Sequence, residues 1–167
     1  MDGDSDAPRQ RPIDSRSGFT AAVHEALDLA LVRRARRMLW VDTDFADWPL
    51  DDPALLHKLT GWLHLPRRQL VLLASDYEVL RRGRARFVAC YRLWSHAIAA
   101  FGPAEDDANQ LPCLLLADAS VLVQLLDKPR WRGWLSTEAT TLRVARERTD
   151  ALLQRSESAF AVTTLGI

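Results

Sequence analysis

The chain has 167 residues, 48% of them hydrophobic, and its 22 basic and 22 acidic side chains cancel to a formal charge of zero. That length suits one α/β domain and is short for two; the apolar fraction is enough for a core without disulfide or metal staples. The charge balance argues against a wholesale electrostatic grip on nucleic acid. No apolar run approaches the roughly 20 residues needed to cross a bilayer, and the N-terminus lacks the charged start and apolar block of a secretory signal. Two cysteines, Cys90 and Cys113, both sit in apolar contexts. They read as small core residues in a reducing, cytoplasmic setting rather than as a disulfide. Only Lys58 and Lys128 are lysines; an arginine bias of this kind follows from composition as readily as from a need for planar contacts.

Residues 1–17 are polar, hold Pro8 and Pro12, and show no apolar period, so a mobile tail is expected before a domain spanning 18–167. Phe19, Val23, Leu27, Ala30 and Leu31 recur at helical spacing and predict a helix over 18–37. Arg33, Arg34, Arg36 and Arg37 would then lie in its last turns, where cations complement the helix dipole. Residues 38–41 read as a buried strand with Asp42 and Asp44 at its carboxyl end. Asp52 followed by Pro53 is a helix start, since the aspartate caps free amides and proline is tolerated in the first turn. Leu55, Leu56, Leu59, Trp62 and Leu63 give that helix an apolar face, and Pro66 stops it.

A second strand is predicted over 69–74. Ser75 and Glu78 have capping-box spacing, so a long helix is expected from about Asp76 to Ser95, burying Tyr77, Leu80, Phe87, Val88, Tyr91 and Trp94. Residues 97–101 form a third strand and Glu105-Asp106-Asp107 an acidic loop. Two apolar runs, 112–117 and 121–126, flank Asp118-Ala119-Ser120 and read as a hairpin. Residues 127–135, with Trp131, Gly133 and Trp134, read as a loop. Ser136 is placed to cap a last helix over 137–157, with Leu142, Ala145, Thr149, Leu152 and Leu153 inward. Phe160 to Ile167 would add an edge strand or fray. Strands alternating with helices predict parallel pairs, and the hairpin adds an antiparallel element, so the expected architecture is a mixed, mostly parallel sheet flanked by helices.

Chemistry-bearing residues are sparse. His24, His57, His64 and His96 lack thiol or carboxylate companions at metal-ligand spacing. Glycine-rich phosphate loops, serine elbows and paired-cysteine zinc motifs are missing from the sequence. Asp42, Asp44, Ser75 and Asp76 fall at the carboxyl ends of two expected parallel strands, where open α/β sheets gather ligands. They could hold a cation, although capping and loop shaping also explain them. Arg81, Arg82, Arg84 and Arg86, with Arg67 and Arg68, form the best basic patch for phosphates; a wet helix face explains it more simply. Trp131, Arg132 and Trp134 are the best partner-contact candidates by residue type.

Arg36-Arg37-Met38-Leu39-Trp40-Val41-Asp42-Thr43-Asp44, Leu70 to Tyr77, Ala104-Glu105-Asp106 and Leu114-Leu115-Leu116-Ala117-Asp118 carry a resemblance covering His24 to Glu157. With this element order the chain resembles one half of the phospholipase D-like fold. More closely it is similar to a proteobacterial family often found C-terminal to GNAT-type acetyltransferases. Active phospholipase D-like enzymes carry H-x-K-x4-D. On that spacing Asp118 matches the aspartate, Leu111 stands where the nucleophilic histidine belongs, and Cys113 where the phosphate-holding lysine belongs. A leucine forms no phosphoenzyme and a buried thiol clamps no phosphate. The resemblance therefore implies a non-catalytic binding or scaffolding domain without a cofactor, paired as a homodimer, with an acetyltransferase-related protein as a conceivable partner. The alternatives are a hydrolase or transferase of changed mechanism using Asp42, Asp44 and Asp76 with a metal, or a nucleic-acid-binding module using the arginine helix.

Overall fold

A computed structural model describes residues 9–159. The expected segment 160–167 and residues 1–8 of the expected tail lie outside the described residues. Within them the chain runs β1 (Gln10–Ile13), α1 (Arg16–Val32), β2 (Arg37–Val41), α2 (Pro53–Leu63), β3 (Gln69–Leu73), α3 (Glu78–Gly83), α4 (Ala85–Leu93), β4 (Ile98–Gly102), β5 (Cys113–Ala117), β6 (Val121–Asp127), β7 (Arg132–Ser136), α5 (Ala139–Gln154) and β8 (Glu157–Ser158), with a 3-10 turn at Glu105–Asp107. None of the described helices is long and apolar enough to cross a membrane.

The strands form one sheet in the order β1-β7-β6-β5-β2-β3-β4-β8. Only β2–β3 and β3–β4 are parallel; the other five neighbours are antiparallel. The sheet is therefore mixed but mostly antiparallel, which corrects the expectation of a mostly parallel one. The helical crossovers did give parallel pairs. The hairpin β5–β6, however, inserts beside β2 rather than extending the β4 edge, and β7 and β1 continue its meander.

Alternate strand residues face two cores. Met38, Trp40, Leu70, Leu72, Leu115 and Val123 join the cluster beneath α1, α2 and α4. Leu39, Val41, Val71, Leu73, Leu114, Leu116 and Leu122 face the other way, where Leu142, Ala145 and Leu152 of α5 cover them. Each fully buried leucine or valine contributes about 1.5–3 kcal/mol of transfer free energy.

Several boundaries differ from the expectations. Helix α1 ends at Val32 because Arg34 takes φ 57°. The Ala35 amide then donates to the Ala30 carbonyl (2.9 Å) and the Arg34 amide to that of Leu31 (3.2 Å), a Schellman stop with arginine in the left-handed position. The arginines expected on its last turns instead occupy the turn and the start of β2. The Ser75–Glu78 box does not form. Asp76 Oδ1 accepts from the Glu78 amide at 2.8 Å while Ser75 Oγ donates to the Ala108 carbonyl at 2.6 Å. The long helix breaks at Arg84, whose φ of −129° and ψ of 61° separate α3 from α4. Ser136 does not open a helix at 137; its Oγ accepts from the Glu138 amide (3.2 Å) and α5 starts at Ala139. Gln10–Ile13 of the expected tail is an edge strand, and residues 132–136 of the expected loop are β7. Gly133 makes β7 possible: a Cβ there would lie 1.9 Å from the Gln124 carbonyl oxygen of β6.

Candidate functional site

One end of the sheet gathers the carboxyl ends of β2, β3 and β6 and the start of β5. Asp42 follows β2 and is wholly buried. Its Oδ1 accepts from Lys128 Nζ at 2.7 Å and its Oδ2 from the Phe45 amide at 3.1 Å. That second bond pins Phe45, itself fully buried, at φ 59°, a conformation a bulky residue keeps only when its surroundings hold it. Lys128, just past β6, keeps 32% of its side chain exposed. Burial disfavours its charge, yet the hydrogen bond and negative charge of Asp42 outweigh this and hold its pKa above the ordinary value, with Cys113 and Asp44 contributing. Cys113 opens β5 at the same place. Burial pushes its thiol far up, Asp42 adds to this, and Lys128 and the Trp48 indole only partly oppose it, so the thiol stays protonated. Behind these groups Phe19, Phe45, Trp40 and Trp131 surround Trp48 or one another at centroid distances of 5.1–5.8 Å.

The other expected acids are spent locally. Asp44 Oδ1 accepts from the Ala46 amide at 3.0 Å, and Asp76 caps the Glu78 amide. The β2 and β3 loops do touch, since the amides of Ser75 and Asp76 both donate to the Thr43 carbonyl at 3.0 Å. Even so, among the described residues no three His, Cys, Asp or Glu side chains come together in a way that could hold a metal ion. The sequence places these residues at one sheet end but gives Lys128 no role there. Its only signal was that it is one of two lysines in an arginine-rich chain.

The three positions of the degenerate motif do not form one site. Cys113 lies at the end just described, and Leu111 packs against the second core. Asp118 lies at the opposite end of β5, in the hairpin turn at φ 43°. Its Oδ2 accepts from the amides of Arg36 (2.6 Å) and Arg37 (3.2 Å), tying the turn to the start of β2.

The arginine patch is largely engaged. Arg81 and Arg82 share Glu78 at 3.2 and 3.0 Å. Arg86 meets Asp51, and Arg84 donates to the carbonyls of Gly83 and Ala46. Arg68 donates to the Pro66 carbonyl, and Arg67 holds a left-handed turn. Of the histidines, His24 bonds Asp52 at 3.0 Å; the Ala54 amide chiefly, and His24 after it, lower the Asp52 pKa against the effect of burial. His64 meets the Trp94 ring edge-on at 4.7 Å and His96 lies 5.6 Å from the same ring, while His57 is exposed. The partner-contact candidates separate. Trp131, at φ 56°, packs against Phe19 with Arg16 over its ring. Arg132 and Trp134 are two apart on β7 and share the opposite sheet face, and Trp134 pairs with Gln124.

On that face α5 leaves part of the sheet uncovered. A groove of about 310 Å³ opens there, lined by Leu114, Gln124, Trp134, Thr140, Thr141, Val144, Ala145 and Arg148. Of these only Trp134 is a contact candidate by sequence. Val144 is 62% exposed, the one large apolar side chain of α5 that is exposed.

No family model and no curated protein matches the chain. Among solved structures it is similar to TrmBL2, an archaeal chromatin protein with a novel mode of DNA binding, at a TM-score of 0.59 and 14% identity. The likeness covers 92% of this chain and 56% of that one, so the chain spans little more than half the length of that protein. At this identity it shows a shared fold.

Proposed function

We propose that the chain is a non-catalytic, phospholipase D-like binding or scaffolding domain of a reducing, cytoplasmic setting. The observation that carries this is the Asp42–Lys128 pair beside a protonated Cys113: at the sheet end where chemistry would gather, each of these groups is neutralised or internally bonded. A carboxylate and an ammonium that neutralise each other beside a thiol held in its neutral form make a poor nucleophile, base or phosphate clamp. Pairing of two copies and contact with an acetyltransferase-related partner rest on the family resemblance alone. The test is turnover of bis(p-nitrophenyl) phosphate, with and without magnesium or manganese. The expected result is a rate equal to the protein-free blank. Turnover that Asp42→Asn abolishes would overturn the reading in favour of a metal-assisted enzyme, and light scattering checks the dimer.

A second reading, a nucleic-acid-binding module, is supported by the likeness to a DNA-binding chromatin protein. The arginine helix lends it less than its sequence suggests, because three of its four cations pair with two carboxylates, Arg81 and Arg82 with Glu78 and Arg86 with Asp51. Under this reading duplex DNA binding would weaken steeply with salt and fall on Arg81→Glu with Arg82→Glu.

A further inference from the structure

We propose that the groove between α5 and β5–β7 is a binding site for a small amphipathic anion, an organic carboxylate, sulfonate or phosphate ester with an apolar body. Leu114, Trp134, Val144 and Ala145 supply its apolar surface. Gln124, Thr140, Thr141 and Arg148 supply its polar groups, and none of the four side chains has a hydrogen bond or ion pair among the described residues. The contrast with the Asp42–Lys128 cluster is what marks the site. There Asp42, Lys128, Asp44, Asp76 and Ser75 are all bonded internally; here an exposed guanidinium, two threonine hydroxyls and a half-buried carboxamide rim an apolar recess without a protein partner among the described residues. An arginine at the wall of such a recess favours an anion, and the planar fork suits a two-oxygen acceptor. The void lies at the small end of the range for ligand pockets, which suits a ligand of about ten heavy atoms rather than a polymer.

The inference takes from the functional reading only that the domain binds rather than transforms. The experiment is isothermal titration of the full chain with sodium octanoate, with 1-octanol and inorganic phosphate as separate arms. Octanoate is expected to bind saturably and more tightly than either control. Arg148→Gln should weaken octanoate about tenfold, the loss of one charge-assisted hydrogen bond, and leave octanol unchanged. Val144→Asp, at an exposed position that folding does not depend on, should abolish octanoate binding. Absence of saturable octanoate binding, equal affinity for octanol or phosphate, or binding indifferent to both substitutions would each overturn the proposal. A null titration with a blank phosphodiester assay would remove the groove and leave the non-catalytic reading intact, whereas turnover would remove that reading and leave the groove.

Discussion

Lys128→Met isolates the Asp42 carboxylate in the interior. Asp42 has an exposure of 0%, and after the substitution it keeps the Phe45 amide and the neighbouring neutral Cys113 thiol but no countercharge among these partners. Breaking a buried ion pair from one side costs about 3–5 kcal/mol. Because Lys128 keeps 32% of its side chain in water, water already screens part of the attraction and the lower end, about 3 kcal/mol, applies. For a domain of this size that corresponds to a fall in Tm of roughly 6–12 °C, or of roughly 1–2 M in the urea midpoint. Urea denaturation followed by far-UV circular dichroism reads it directly. The companion variant Asp42→Asn with Lys128→Met keeps an acceptor for the Phe45 amide while removing the stranded charge, so it should recover most of the loss. The reasoning fails if Lys128→Met costs less than about 1 kcal/mol, the ceiling for an ordinary exposed pair. It also fails if the double variant is no more stable than the single one.

Other substitutions probe the remaining inferences. Gly133→Ala drives a methyl group into the Gln124 carbonyl, so β6–β7 pairing must give way at a cost of about 3 kcal/mol or more, seen as insolubility or a collapsed urea midpoint. Asp118→Ala removes the acceptor of two backbone amides and should cost about 1–3 kcal/mol, while Asp118→Asn, which keeps an acceptor, should cost less; equal losses would mean that the turn conformation, not these bonds, matters. Stability should decline in alkali because several groups, Cys113, Lys128, Cys90 and the two tyrosines among them, have pKa values raised on folding. The Cys113 and Lys128 pKa values are raised on folding from 9.0 and 10.5, so their contributions are complete below those values and are lost as pH climbs past them. In Cys113→Ala the decline between pH 9 and 10 should flatten, measured as Tm against pH.

The strands whose residues face a core on both sides were legible because apolar runs need no partner to identify them: 38–41, 70–73, 113–117 and 121–125, the last broken only by Gln124. Strand β7 was not. It is half-exposed, so Trp131-Arg132-Gly133-Trp134 shows neither alternation nor an unbroken apolar run, and its glycine reads as loop until the nearness of the Gln124 backbone gives it a reason. Strand β1, with Pro12 in it, exists only because β7 is there to pair with. Sheet direction was hidden for a different reason. The insertion of β5 beside β2 depends on Leu114 to Ala117 matching Met38 to Val41 across the sheet, which no local pattern records. At the candidate site Asp42 was visible as an acid at a strand end. Its neutralisation by a lysine 86 residues later was not, because ion pairing at that separation is set by topology.

Strand β1 is the margin of the sheet beyond β7, and Pro12 sits inside it. A proline there withholds one donor from any strand that tried to add itself alongside. Arg11, drawn into an ion pair with Glu25 of α1, further ties the margin to its own domain. Ladder-type recruitment is thereby discouraged at this border, so an associating molecule is steered towards the flat surfaces of the sheet and its helices, where side-chain chemistry rather than bare main chain decides what is accepted.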